Sequence, residues 1–212
     1  MTDHGAAEAY EVWSASYDSD RNLTRDLDQE ITRSALQGGH WHSILELGCG
    51  TGKNTALLSE LGDQVQALDF SAAMIQQARQ KRAFHNVTFT LTDITEAWPV
   101  ADASIDLVCC NLVLEHISDL RPVFAEASRV LSAGGQFLVS ELHPFRQYQG
   151  VQAHFKHKGG TISIAAFVHH VSDFLDAAEG ARLSLQSLDE WWHTEDVDKP
   201  PRLISFRFKK SE

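Results

Sequence analysis

The sequence predicts an α/β protein with a mostly parallel sheet covered by helices on both faces. Three observations carry this. From Ser43 onward, short apolar runs alternate with longer segments of helical period, the rhythm of a parallel sheet with crossover helices. The first apolar run leads directly into a glycine-rich turn, Gly48-Cys49-Gly50-Thr51-Gly52, as a strand entering a helix through a tight loop would. Carboxylates stand in or just after the first three runs, at Glu46, Asp69 and Asp93, where an open α/β sheet binds its ligands.

The elements follow in order. Residues 1–40 lie outside the alternation and predict an N-terminal helical cap, with the domain proper over 41–212. Strands are expected at Ser43 to Leu47, Gln64 to Asp69, Val87 to Leu91, Ile105 to Cys110 and Gln136 to Glu141. Helices are expected at Thr51 to Leu61 and at Ser71 to Arg82, the latter with Ser71 as N-cap and Met74, Ile75 and Ala78 on one face. A further helix begins near Pro122, keeps the stripe Val123, Phe124, Ala127, Val130 and Leu131, and ends at Gly134-Gly135. His143-Pro144 breaks the rhythm and opens an insertion over about 144–172, with a strand at Thr161 to Val168. A helix at Ser172 to Ala178 and two strands, Arg182 to Leu188 and Arg202 to Lys209, close the chain. The connection holding Trp191, Trp192 and Pro200-Pro201 marks an antiparallel hairpin.

Composition narrows the class. The chain has 212 residues, 43% of them hydrophobic, enough for one domain with a substantial core. Its 18 basic and 29 acidic residues give a net charge of −11, which opposes binding to a phosphate backbone, so no nucleic-acid partner is expected. The run Phe155-Lys156-His157-Lys158 reads as a solvated turn. Cys49, Cys109 and Cys110 fit neither a disulfide framework nor a zinc-ligand spacing; no metal is expected, and a reducing, cytoplasmic setting is. The opening Met1-Thr2-Asp3-His4-Gly5 lacks a signal-peptide pattern, and no apolar stretch has the length of a membrane span.

The glycines of Gly48-Cys49-Gly50-Thr51-Gly52 follow G-x-G-x-G, whereas a dinucleotide fingerprint would space them as G-x-G-x-x-G. With Glu46 two residues ahead, Ala67-Leu68-Asp69-Phe70-Ser71 after the second strand and Leu91-Thr92-Asp93-Ile94 after the third, the chain resembles the class I S-adenosylmethionine-dependent methyltransferases, specifically the UbiE-like or type 11 group, over roughly residues 40–142. The resemblance implies a Rossmann-like, seven-stranded sheet and S-adenosylmethionine as cofactor, with S-adenosylhomocysteine as its product. It also implies roles. Glu46, Gly48, Cys49 and Gly50 lie against the methionine part, Asp69 accepts from the ribose hydroxyls, and Phe70 and Met74 pack near adenine. Asp93 and Ile94 serve the adenine edge, Asn111 and Leu112 border the methionine part, and Tyr17 belongs to a covering segment.

Methyl transfer from a sulfonium is an in-line displacement that works largely by positioning, with a base needed only where the nucleophile must lose a proton. The expected partner is a small-molecule methyl acceptor. Two histidines follow strands whose ends face the cofactor, and His116 and His143 are the candidate catalytic residues, with Glu115 and Glu141 as competitors for that role. The acceptor pocket is expected between the cap (Tyr10, Trp13, Tyr17), the loops after the fourth and fifth strands, and the insertion (Phe155, Phe167, His169, His170). Two rival readings share this half-site: a catalytically inactive S-adenosylmethionine-binding regulator, and a nicotinamide-dependent oxidoreductase, against which the glycine spacing argues.

Overall fold

The structure is a computed structural model that describes residues 4–81, 84–157 and 159–211. Met1 to Asp3, the expected helix end at Arg82 and Lys158 of the basic run lie outside the described residues. Two helices lead the chain, α1 (His4–Trp13) and α2 (Leu23–Ala35). Asn22 caps α2, its side chain accepting from the N–H groups of Thr24 and Arg25.

The alternation then runs β1 (Trp41–Leu47), α3 (Thr55–Leu61), β2 (Gly62–Asp69), α4 (Ala72–Lys81), β3 (Val87–Leu91) and β4 (Ile105–Asn111). A 3-10 turn (Leu114–His116) leads into α5 (Arg121–Val130) and β5 (Leu131–Leu142), followed by the short α6 (Pro144–Tyr148). The hairpin β6 (His154–His157) and β7 (Gly160–Ser163) precedes α7 (Val171–Gly180), β8 (Leu183–Trp191) and β9 (Leu203–Lys210).

Seven strands form one sheet in the order β3-β2-β1-β4-β5-β9-β8. The first five run parallel; β9 pairs antiparallel with both β5 and β8, giving the closing hairpin expected from the loop between them. Strand order reverses between β1 and β4, and the carboxyl ends of strands flanking such a switch point form a crevice. That crevice positions the site.

Continuous apolar runs fold as central strands because both faces are covered: Ile44, Leu45 and Leu47 on β1 and Leu107 to Cys110 on β4 are buried. On the far half of the sheet, α5 lays Phe124 against Phe137 and Phe208, with ring centroids 5.2 and 5.6 Å apart and edge-to-face geometry, and Phe206 stacks on Phe208.

Several expectations change in detail. Residues 161–168 do not add a strand to the sheet; the Gly159-Gly160 turn closes a separate two-stranded hairpin, β6 with β7, and the chain beyond Ser163 is irregular. The helix expected from Thr51 starts at Thr55, because Gly52 holds a positive φ of 82° that a helix does not allow. Pro144 opens α6 as well as ending β5, since proline suits the first helical turn. Among the described residues, no helix is long and apolar enough to cross a membrane.

Phe208→Ala is expected to cost about 3–5 kcal/mol by leaving a cavity between α5 and the sheet. Urea unfolding should show a lower midpoint at an unchanged slope.

Candidate active site

The glycine loop between β1 and α3 begins with Gly48 at φ 66°, and a Cβ there would stand 2.2 Å from Val113. Gly50, at φ 53°, has no atom within 4 Å of the place its Cβ would take, so its backbone borders open space. This leaves a cradle on the crevice side of the loop.

Carboxylates ring the cradle, Asp69 and Glu46 buried and Asp93 half-buried. Asp69, at the end of β2, accepts from the backbone N–H groups of Gly50 (2.7 Å) and Ser71 (2.9 Å). Burial outweighs these bonds and pushes its pKa up to about 6. A carboxylate offers about four lone-pair positions, so acceptor capacity remains after two such bonds. Glu46 receives the Thr55 hydroxyl, and desolvation carries its pKa to about 8. Asp93, after β3, accepts from the backbone and hydroxyl of Thr95 at 2.9 and 2.8 Å.

Two contiguous hollows divide the expected cofactor residues between them. Asp69, Phe70, Asp93 and Ile94 line one, with His116 at its wall. Glu46, Cys49, Gly50, Asn111, Leu112 and Tyr17 line the other. Gly48 borders both. Leu112 holds a positive φ of 57°, a conformation uncommon for a branched side chain, at the point where β4 gives way to the site. Met74 lines neither hollow; it is fully buried in α4 and packs there as core.

The cap supplies residues that pattern reading passed over. Asp28 of α2 is buried and accepts from Asn111 (2.8 Å) and Asn54 (2.9 Å). Burial raises its pKa, with the two amides and Lys53 opposing. Arg25, one turn earlier, is 8% exposed and lies over the Tyr17 ring at 3.9 Å. Its Nη2 donates to the Asp20 carbonyl, while its Nη1 has no well-formed partner among the described residues. Both residues look ordinary in sequence, an Asp and an Arg on an amphipathic helix, and only the docking of α2 reveals their burial.

A cavity of about 500 Å³ adjoins the second hollow through Tyr17, Arg25 and Leu112. Tyr10, Trp13 and Phe155 wall it, Trp13 stacked on Phe155 at 5.0 Å, and Glu115 and Arg202 reach it. The cap and the start of the insertion thus form this wall. Phe167 and His169 line a different hollow, beside α5 and α7, and His170 contacts Tyr148. His169 is spent on structure, its Nε2 donating to the Ile117 carbonyl at 2.7 Å.

The two candidate histidines separate sharply. His116 sits between the crevice and α1, its Nε2 2.9 Å from the Tyr10 hydroxyl. His143 is a cap: its Nδ1 accepts from Phe145 N–H at the start of α6, so its Nε2 carries the proton and donates to Glu190 at 2.8 Å. Burial lowers its pKa. It lines neither hollow nor the large cavity. Glu141 also turns inward, accepting from the N–H groups of Val113 (2.9 Å) and Leu114 (2.8 Å), and so fixes the turn that carries His116. Desolvation raises its pKa to about 8.

Helix α1 roofs the arrangement. Glu11 accepts from the Ser71 hydroxyl (2.9 Å) and from Ala73 N–H (3.3 Å), and Asp18 accepts from Thr51 (2.8 Å) and pairs with Lys81. Among the described residues, no group of three or more His, Cys, Asp or Glu side chains could hold a metal ion.

Comparison with known proteins places this geometry. Residues 45–139 match the family described as "Methyltransferase domain". The chain is 36% identical over 139 residues to a malonyl-[acyl-carrier protein] O-methyltransferase of Serratia marcescens, covering 64% of this chain and 52% of the relative. It is 32% identical over 131 residues to a demethylmenaquinone methyltransferase of Tropheryma whipplei, covering 55% and 54%. The chain therefore spans about half the length of these curated relatives. Among solved structures, a DhpI–SAH complex superposes with a TM-score of 0.76 at 23% identity, over 99% of each chain. A Gly-x-Gly-x-Gly loop at the switch point, carboxylates in or just after three successive strands and the family match over the same stretch agree: residues 45–139 are a class I methyltransferase domain of the UbiE-like type.

Proposed function

We propose that this chain transfers the methyl group of S-adenosylmethionine to a small organic acceptor. The observation that carries the reading is the paired hollow, whose lining combines the open Gly50 cradle, Asp69 and the buried Arg25. The residues present fit that cofactor. Asp69 has acceptor capacity left for the ribose hydroxyls. Phe70 and Ile94 offer apolar faces, and Asp93 a carboxylate, to the adenine side. Gly48, Cys49, Gly50, Asn111, Leu112 and Tyr17 border the methionine side. Arg25, with a donor unspent, supplies a cation for the amino-acid carboxylate. When bound, the cofactor supplies a methyl group activated on a sulfonium.

The chain's own work is then positional. The large cavity, with its aromatic walls, holds the acceptor against the Leu112 end of the site and excludes water. Its size suits a small molecule or the exposed end of a carried one, in keeping with acceptors named for the relatives, a malonyl group on a carrier protein and demethylmenaquinone. His116, facing the crevice, is the candidate proton acceptor; His143 holds α6 to β8.

Two outcomes test the reading. Asp69→Ala should weaken S-adenosylhomocysteine binding by about 1–3 kcal/mol, roughly 5- to 150-fold, and Gly50→Val should abolish it while the fold survives, both read by calorimetry. Unchanged affinity in folded variants would remove these residues from the site.

The second outcome concerns pH. Glu46 holds its proton to about pH 8 and Asp69 to about pH 6 in the unliganded protein because burial disfavours their charge. Both values exceed those of the unfolded chain, so the folded state binds more protons and its stability falls as pH rises from 3.8, where Asp69 begins to contribute, to about 8. A ligand bearing a sulfonium and an ammonium favours the ionised carboxylates. Binding of S-adenosylmethionine should therefore release protons and tighten as pH rises from 6 to 8. Calorimetry in buffers of different ionisation enthalpy measures the release, and Glu46→Gln should reduce it.

A further inference from the structure

Tyr10 and His116 are joined in a way that fixes the direction of their hydrogen bond. The His116 Nδ1 lies 3.1 Å from the Ala165 carbonyl oxygen, which can only accept, so Nδ1 carries the ring proton. The neutral ring then presents a lone pair at Nε2, and the Tyr10 hydroxyl, 2.9 Å away, donates to it. Tyr10 is held edge-on to His116 and to Phe70, with ring centroids 5.4 and 6.0 Å away, and stacked on Trp13 at 5.7 Å.

The two residues face different spaces. Tyr10 lines the large acceptor cavity, whereas His116 lines the hollow shared with Asp69 and Asp93. An acceptor in the large cavity therefore packs against Tyr10, whose hydroxyl leads to the imidazole. Glu115 Oε1 stands 3.8 Å from Nε2, and burial raises the Glu115 pKa. The charged and titratable groups around the pair are Glu115 on the same turn, Asp69 at the end of β2, Tyr17 beyond α1 and Arg25 on α2. Burial raises the Tyr10 phenol well above its ordinary value, so it keeps its proton and passes one on only as another arrives.

Resting on the methyltransferase reading, we propose that Tyr10 and His116 form a proton relay, and that the acceptor is a protic nucleophile, bearing an O–H or N–H at the atom that is methylated. As that atom forms its bond to the methyl carbon, the S–CH3 bond breaks, its electron pair stays on sulfur, and the sulfonium becomes a neutral thioether. The acceptor's proton moves to the Tyr10 oxygen while the Tyr10 proton moves to His116 Nε2. Tyr10 is the residue that touches the acceptor; His116 acts through it.

Three measurements on the full chain test this. Nitrogen-15 NMR of labelled histidine should find His116 protonated at Nδ1 and bare at Nε2 near neutral pH; a proton on Nε2 in the neutral ring overturns the relay whatever the acceptor. Methyl transfer from S-adenosylmethionine should then be assayed with catechol, phenethylamine and benzoate as probes. Tyr10→Phe, which keeps the ring and removes the hydroxyl, should lower kcat on the protic probes about 100-fold with KM little changed. The loss should shrink at high pH, where the probe ionises unaided, and any transfer to benzoate should be unaffected. Wild-type turnover and pH profile in Tyr10→Phe, or transfer confined to benzoate, overturns the proposal. S-adenosylhomocysteine titration of the same samples keeps the two readings apart: tight binding to both proteins leaves only the relay at stake, and absent binding to the wild type removes the methyltransferase reading itself.

Discussion

The carboxylate of Asp28 is the bond on which the site's assembly depends. It receives the Asn111 amide from the end of β4 and the Asn54 amide from the turn before α3, and its own helix crosses above both. A buried carboxylate left without such donors would cost several kcal/mol, so α2 can dock only where both amides reach it. Thr32, one turn on, accepts from the same Asn111 and donates to the Asp28 carbonyl. The cap, the glycine loop and the β4 end thus share one polar knot, and Arg25 and Tyr17 take their places because α2 is held there.

The same logic governs the neighbouring turn. Glu141 spends one carboxylate oxygen on two backbone N–H groups, and these bonds set the direction of Leu114 to His116. Structural carboxylates lie beside the crevice, where burial lifts their pKa values; an elevated value therefore does not by itself identify a proton carrier. Geometry separates the roles: Glu141 points at backbone, Asp69 at backbone and crevice, and Glu115 at the large cavity.

Much of this was legible in the residues because it depends on local rules. Apolar runs covered on both faces gave the five parallel strands, and Gly48 to Gly52 marked the loop at the switch point. The expected cofactor-side residues followed from the family resemblance, and all but Met74 line the two hollows. The failures share a cause as well. His143 and His116 each follow a strand end, and nothing local distinguishes a ring that caps α6 from one that faces a cavity. Residues 161–168 carry strand-like character, yet partner choice across the Gly159-Gly160 turn keeps them off the sheet. Arg25 and Asp28 gain their meaning from the docking of α2, a long-range event that spacing along the chain does not encode.

The roof formed by α1 has a consequence for access to the site. Glu11 and Asp18 fasten it to α4, the glycine loop and Lys81 through a few polar contacts at the protein surface, contacts of the kind that open and close readily. The same helix supplies Tyr10 and Trp13 to the large cavity. The helix that covers the crevice is thus also a wall of the large cavity, so a displacement of α1 would open both spaces together.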